Sequence, residues 1–166
     1  KDISDFNELP IPFFCIATDV ETGEEVLLNK GYLPEAIMAS GTFPSLFMPA
    51  EVDGRILIDG GVLNNYPVDR VRALGADIII GVDVQHGLRV REELNSATEV
   101  LLQINNYRTV GQMEEKRLKT DVYIKPEMQQ YSVIDFEARD SIVAEGNRAA
   151  RRQWDALKDV AQKQIA

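Results

Sequence analysis

One cysteine and one histidine are all that 166 residues contain of either type, and that scarcity removes several kinds of chemistry at once. A single Cys15 cannot form an internal disulfide, so thiol usage does not report on redox compartment. It sits in the apolar run Phe13–Ala17 and reads as a small core residue rather than a reactive thiol. Neither Cys15 nor His86 has a partner at metal-ligand spacing, so no metal site is expected. Apolar runs are short as well, and none approaches the roughly 18 residues of a membrane-spanning helix. No basic stretch followed by an apolar segment opens the chain, so no signal peptide is visible within it. Phosphate loops are missing too: neither a Gly-rich loop ending in Gly-Lys-Ser/Thr nor a G-x-G-x-x-G follows an expected strand.

Positive charge is in deficit. Lys and Arg number 18 against 27 Asp and Glu, a net charge of -9 that disfavours nucleic acid and simple electrostatic docking on anionic lipid. The one dense basic cluster, Arg148, Arg151 and Arg152, reads as a solvated helix face.

What is present suits a folded domain. Hydrophobic residues make up 45% and charged residues 27%, close to globular averages, and the length fits one ordinary α/β domain or a large part of one. The run Phe13–Ala17 leaves a Pro-rich opening as a strand expected to be buried on both faces, and Val26–Leu28 returns from the turn at Thr22-Gly23 as a hairpin. Residues 33–40 read as a short helix with Pro34 in its first turn and Gly41 at its end. Two short strands flank Asp53-Gly54. A helix over Pro67–Leu74 and a second buried strand over Asp77–Val84 then complete an expected βαβ unit with parallel pairing. Two long helices, one through Val100–Leu118 and one through Ile142–Val160, flank a short strand at Val122–Ile124.

The informative stretch is Ile58-Asp59-Gly60-Gly61-Val62-Leu63-Asn64-Asn65-Tyr66-Pro67. An acid at the end of a strand in an α/β pattern lies where such sheets place ligands. The two glycines permit a tight bend and the close approach of another backbone to the carboxylate. Asn64 and Asn65 lead into the next helix. His86, at the mouth of the following strand, reads as a loop residue making an ordinary hydrogen bond.

In order and spacing, several pieces together resemble the patatin-like phospholipases. They are Pro12–Asp19 with Thr22-Gly23, Ala36–Ser40 with Phe43-Pro44, Pro49, Asp53-Gly54, Asp59–Val62, Asn64–Val68 and Leu74–Asp77. The resemblance implies a three-layer α/β sandwich with a mostly parallel sheet and helices on both faces. It implies a Ser-Asp dyad without metal or cofactor, in which the aspartate falls on Asp59, with Gly60, Gly61, Asn64 and Asn65 supporting the motif. A lipid or other acyl ester is the implied substrate. The family serine lies in G-x-S-x-G on a sharp turn, behind a Gly-rich oxyanion loop.

Here the sequence departs from that pattern, because neither G-x-S-x-G nor a Gly-rich oxyanion loop occurs between Lys1 and Ala166. Met38-Ala39-Ser40-Gly41 lacks the leading glycine and falls inside an expected helix. Both missing motifs precede the matching part in the family, so residues 1–166 are expected to be the C-terminal portion of the domain and inactive alone. The expected partners follow: the N-terminal half of the same domain, self-association through strand edges left open at Phe13–Ala17 and Ile78–Val84, and peripheral membrane contact. The alternative is a non-catalytic module of the same fold that binds lipid or a protein; a nucleotide-binding domain is disfavoured by the absent phosphate loop. Cytoplasm, cell envelope and exterior are all compatible with these residues.

Overall fold

The computed structural model describes residues 3–131 and 135–163; Lys1 lies outside them. The chain divides into two compact units, residues 1–65 with 95–109, and residues 66–94 with 110–166.

The first unit is a four-stranded sheet with one helix against it. Its strands are β1 (Cys15–Asp19), β2 (Glu25–Leu28), β3 (Ala50–Val52) and β4 (Arg55–Asp59), in the order β2-β1-β4-β3. Every pairing is antiparallel. The β1–β2 turn forms because Asp19 Oδ1 accepts the N–H groups of Glu21 and Thr22, a local bond that competes with strand continuation. The β3–β4 turn is set by positive φ at both Asp53 and Gly54, the primed geometry that matches strand twist. Helix α1 (Leu33–Ser40) carries Pro in its first turn and ends where Gly41 N–H caps the last carbonyls. It buries Ala36 and Ala39, whose small side chains let the helix lie close to the sheet. The core beneath it is Ala17, Ala39, Ala50, Val52 and Leu57, and Leu57 is completely buried. A second cluster joins Phe6, Leu33 and Ala36, with Phe13 stacked on Phe6 at 5.9 Å between ring centroids. The unit also contains the short helix α2 (Gly61–Asn64).

In the second unit, helix α3 (Val68–Ala73) precedes β5 (Ile80–Val82), which pairs in parallel with β6 (Val122–Ile124). Helix α4 (Ala97–Leu118) contributes residues 97–109 to the first unit and 110–118 to the second. Helices α5 (Arg139–Arg152) and α6 (Trp154–Lys163) follow. One core cluster joins Tyr66, Val68 and Ile79 with Met113 and Tyr123. Another joins Val122, Ile124 and Ala149 with Ala156, Leu157 and Val160. No helix among the described residues is long and apolar enough to cross a membrane.

The α/β fold expected of a patatin-like chain is supported, but finer expectations are corrected. The sheet is not mostly parallel: three of the four strand pairings are antiparallel. Strand β4 does not pair with β5 across a βαβ crossover, because β1 and β3 already occupy its two edges. For the same reason β1 has no open edge, since β2 and β4 flank it; β5 has a partner on one edge among the described residues. The Asp77–Val84 segment is not buried on both faces. Ile79 and Asp83 point inward at about 5% exposure while Ile80, Val82 and Val84 stay exposed, so only one face of this strand is covered.

The helical segments differ as well. The apolar positions Val100, Ile104, Tyr107 and Leu118 of α4 are exposed, whereas Gln103 and Thr109 are buried. The expected single helix over Ile142–Val160 breaks at Gln153, and the turn there brings Leu157 and Val160 onto the Ala149 cluster.

Candidate functional site

Asp59 is the last residue of β4, next to the central strand β1, and its backbone is held on both sides. Its N–H donates to the Thr42 carbonyl at 3.0 Å, and its own carbonyl accepts from Thr18 Oγ1 at 3.1 Å. Thr18 is itself buried, so this hydroxyl has little freedom to choose another acceptor. In register, Ala17 faces Asp59 and Thr18 faces Ile58. The strand thus delivers the carboxyl group from a main chain that cannot drift.

The side chain is held at one oxygen. Oδ1 accepts the Gly61 N–H at 2.7 Å, and among the described residues Oδ2 makes no hydrogen bond. Burial pushes the carboxyl pKa above its ordinary value, and the Gly61 hydrogen bond offsets part of that rise. Desolvation penalises the charged form, so Asp59 binds a proton more readily than an exposed aspartate.

The glycines are required for space. A side chain at Gly60 would put its Cβ only 2.2 Å from the Ile16 carbonyl oxygen, a backbone atom that cannot rotate away. Gly60 itself has φ -64 and a helical conformation, so the tight bend expected of it needs no left-handed glycine. The close backbone approach is real, but it is made by Ile16 against Gly60 rather than against the carboxylate. At Gly61, a Cβ would sit 2.7 Å from Asn65 Oδ1 and 3.0 Å from Asp59 Oδ1.

The two asparagines separate. Asn64 is buried and donates through Nδ2 to Glu25 Oε2 on β2 at 2.8 Å, tying the loop after Asp59 across to the edge of the sheet. Asn65 is exposed, with its Oδ1 over Gly61. The structure therefore brings Asp59, Gly60, Gly61, Asn64 and Asn65 into one turn. It adds Thr18, Thr42, Ile16 and Glu25, which sequence reasoning did not single out. The Thr18 and Glu25 bonds span 41 and 39 residues, and no local pattern announces them.

Other candidates fall away from this turn. Ser40 lies in the last position of α1 and donates to the Ile16 carbonyl at 2.7 Å, a structural bond. The Cys15 thiol faces the Ala36 carbonyl at 3.5 Å, and burial raises its pKa, as befits a core thiol. His86 contacts the carbonyl oxygens of Gly87 and Gln129, the ordinary loop role expected of it. The arginine cluster is not simply a solvated face. Arg148 and Arg152 both reach the buried Glu145, at 2.7 and 3.2 Å, while Glu145 also accepts the Glu127 N–H.

Comparison with known proteins bears on the stretch that contains this turn. Residues 4–72 match the family model described as patatin-like phospholipase. An uncharacterised NTE family protein of Mycobacterium bovis is 42% identical over 77 residues, covering 46% of this chain and 21% of that protein. Lysophospholipase NTE1 of Saccharomyces cerevisiae is 25% identical over 157 residues, covering 80% of this chain and 9% of the yeast protein. Patatin-like phospholipase domain-containing protein 7 of Mus musculus is 28% identical over 179 residues, covering 89% of this chain and 13% of the mouse protein. The chain spans about a fifth or less of the length of these relatives. The matched segment contains the whole Asp59 turn, and over it the chain is similar to the patatin-like phospholipases.

Proposed function

We propose that this protein works in lipid acyl-ester hydrolysis, with Asp59 as general base for a serine contributed by sequence outside residues 1–166. The observation that carries this reading is the Asp59 carboxyl group, whose Oδ1 is fixed by the Gly61 N–H while Oδ2 has no hydrogen-bond partner among the described residues. A free carboxylate near pKa 4 is a weak base toward a serine hydroxyl. Partial desolvation strengthens it, and a rigid backbone supplies the placement that proton transfer demands.

In this mechanism the serine oxygen attacks the ester carbonyl as its proton passes to Asp59 Oδ2. That proton then goes to the departing alcohol oxygen as the C–O bond breaks, leaving an acyl-enzyme. A water gives its proton to Asp59 while attacking the acyl carbonyl, and the serine recovers a proton as the carboxylic acid leaves. No metal or cofactor enters any step. The yeast relative's name, lysophospholipase, and the mouse relative's name, patatin-like phospholipase domain-containing protein, support a lipid ester as substrate. The serine and its oxyanion loop make the N-terminal half of the domain the first partner, and self-association and peripheral contact with the lipid surface remain part of the same proposal.

The test is Asp59→Asn in the reading frame extended upstream of Lys1, assayed on a short-chain aryl ester and on a lysophospholipid. The substitution keeps the acceptor for Gly61 but removes the base, so kcat/KM falls by about 10³-fold or more. A variant within about tenfold of the parent overturns the role of Asp59. Residues 1–166 alone show no serine-dependent turnover; measurable turnover sensitive to an organophosphate would overturn the external nucleophile.

A further inference from the structure

At the turn between α5 and α6 the second unit has an open cleft of about 440 Å³, lined by Asn147, Ala150, Arg151, Trp154 and Leu157. That volume lies within the range of small-molecule sites. Its chemistry is two-sided. Ala150 and Leu157 pack on the Val122–Ile124–Ala149 cluster, so the floor is the outer side of an apolar core. Trp154, the only tryptophan in the chain, is 58% exposed at the wall. Lys158 Nζ lies 5.7 Å from the centre of its ring.

The arginines divide at this point. Arg148 and Arg152 are engaged by Glu145, whereas Arg151 makes no ion pair among the described residues and lines the cleft. Asn147 Nδ2 is spent on the Val143 carbonyl, which leaves its amide oxygen as the polar atom it can offer. A charged fork without a counter-ion beside an apolar wall selects a ligand that carries both an anion and a hydrocarbon body. Lys158 is paired with Asp155 at 3.2 Å, so Arg151 is the charge that the cleft itself offers.

We propose that this cleft binds one monomeric, single-chain anionic amphiphile, with its carboxylate or phosphate on Arg151 and its chain along Trp154, Leu157 and Ala150. The cleft belongs to the second unit, and the proposal does not depend on the role of Asp59. The exposed rim makes binding reversible and weak, and the aromatic wall supplies apolar contact with few side-chain rotors to freeze.

Because Trp154 is the single tryptophan, its fluorescence, read as the difference from Trp154→Phe, reports occupancy directly. The full chain is titrated with decanoate and decyl phosphate below their micelle concentrations, with decanol as uncharged analogue. Acetate and inorganic phosphate serve as isolated headgroups, and phosphatidylglycerol vesicles serve as a lipid surface. Both anionic amphiphiles saturate the signal at one per chain, decanol binds at least tenfold more weakly, and isolated headgroups leave the signal unchanged. Arg151→Gln weakens decanoate at least tenfold without altering decanol, and Arg151→Lys recovers part of the loss; circular dichroism verifies that both variants are folded. Equal affinity for decanol and decanoate, or an Arg151→Gln variant that binds decanoate like the parent, overturns the proposal. So does a signal produced by headgroup alone, or by vesicles but by no monomer.

Discussion

Each unit has an aspartate at the end of a strand, and the two are treated in opposite ways. Asp59 ends β4 with one oxygen bonded to a single backbone N–H and the other without a partner among the described residues. Asp83 follows β5, is only 5% exposed, and is compensated fully. The Tyr123 hydroxyl and Lys125 Nζ both donate to its Oδ2, and its Oδ1 takes the Gln85 N–H. Burial, and then the hydrogen bond to Asp83, hold the Tyr123 hydroxyl protonated far above its usual range. A buried charge with its partners in place is structure; a partly buried carboxyl short of partners is reactive capacity.

The contrast is broken most severely by exchanging the consequences. Asp59→Asn should cost activity about 10³-fold in the extended protein yet leave thermal unfolding nearly unchanged. Asp83→Asn should do the reverse for the second unit.

The next largest effect tests the scaffold beneath Asp59. Gly60→Ala forces a methyl group against the Ile16 carbonyl and should destabilise by about 3 kcal/mol or more in urea unfolding. Gly61→Ala meets only side-chain oxygens of Asn65 and Asp59, so it should cost about 1 kcal/mol. Equal costs would mean that the Ile16–Gly60 approach is not what the turn is built around.

Asp83→Asn should lower stability by about 2 kcal/mol, since Lys125 loses its counter-ion but is itself partly exposed and can rehydrate. A loss below about 0.5 kcal/mol would remove the distinction between the two aspartates.

The smallest effect is a pH dependence. Because the folded Asp59 pKa lies above its unfolded value, the folded state binds the proton more tightly. Its contribution is favourable below the unfolded pKa and is lost as pH rises through the folded one. Asp59→Asn should therefore flatten the stability profile above about pH 4, with a gain near neutrality of at most about 1 kcal/mol. A stability loss at pH 7 would show that the charged form is favoured by folding.

The first unit was largely legible because its signals are local. Pro34 and Gly41 bound α1, Asp53-Gly54 makes the hairpin turn, and Asp59-Gly60-Gly61 ends a strand. The site was legible as a turn, yet its supports were not. Thr18, Thr42 and Glu25 act through bonds from other strands or loops, and nothing in their own neighbourhoods marks them. The second unit was read less well for a physical reason. The run Ile78-Ile79-Ile80 contains the same residues whether one face or both are covered, and periodicity cannot tell these cases apart.

The sequence by itself determined where turns fall, which residues can be charged, and that Asp59 stands at a strand end followed by two small residues. Backbone sterics and side-chain chemistry act within a few residues, so these features are written locally. Only the tertiary structure decided that β4 runs between two antiparallel partners, that Gly60 must admit the Ile16 carbonyl, and that Arg151 lacks the counter-ion its neighbours share. Those outcomes depend on which distant groups meet after burial, and the energy of a contact exists only once both sides are in place.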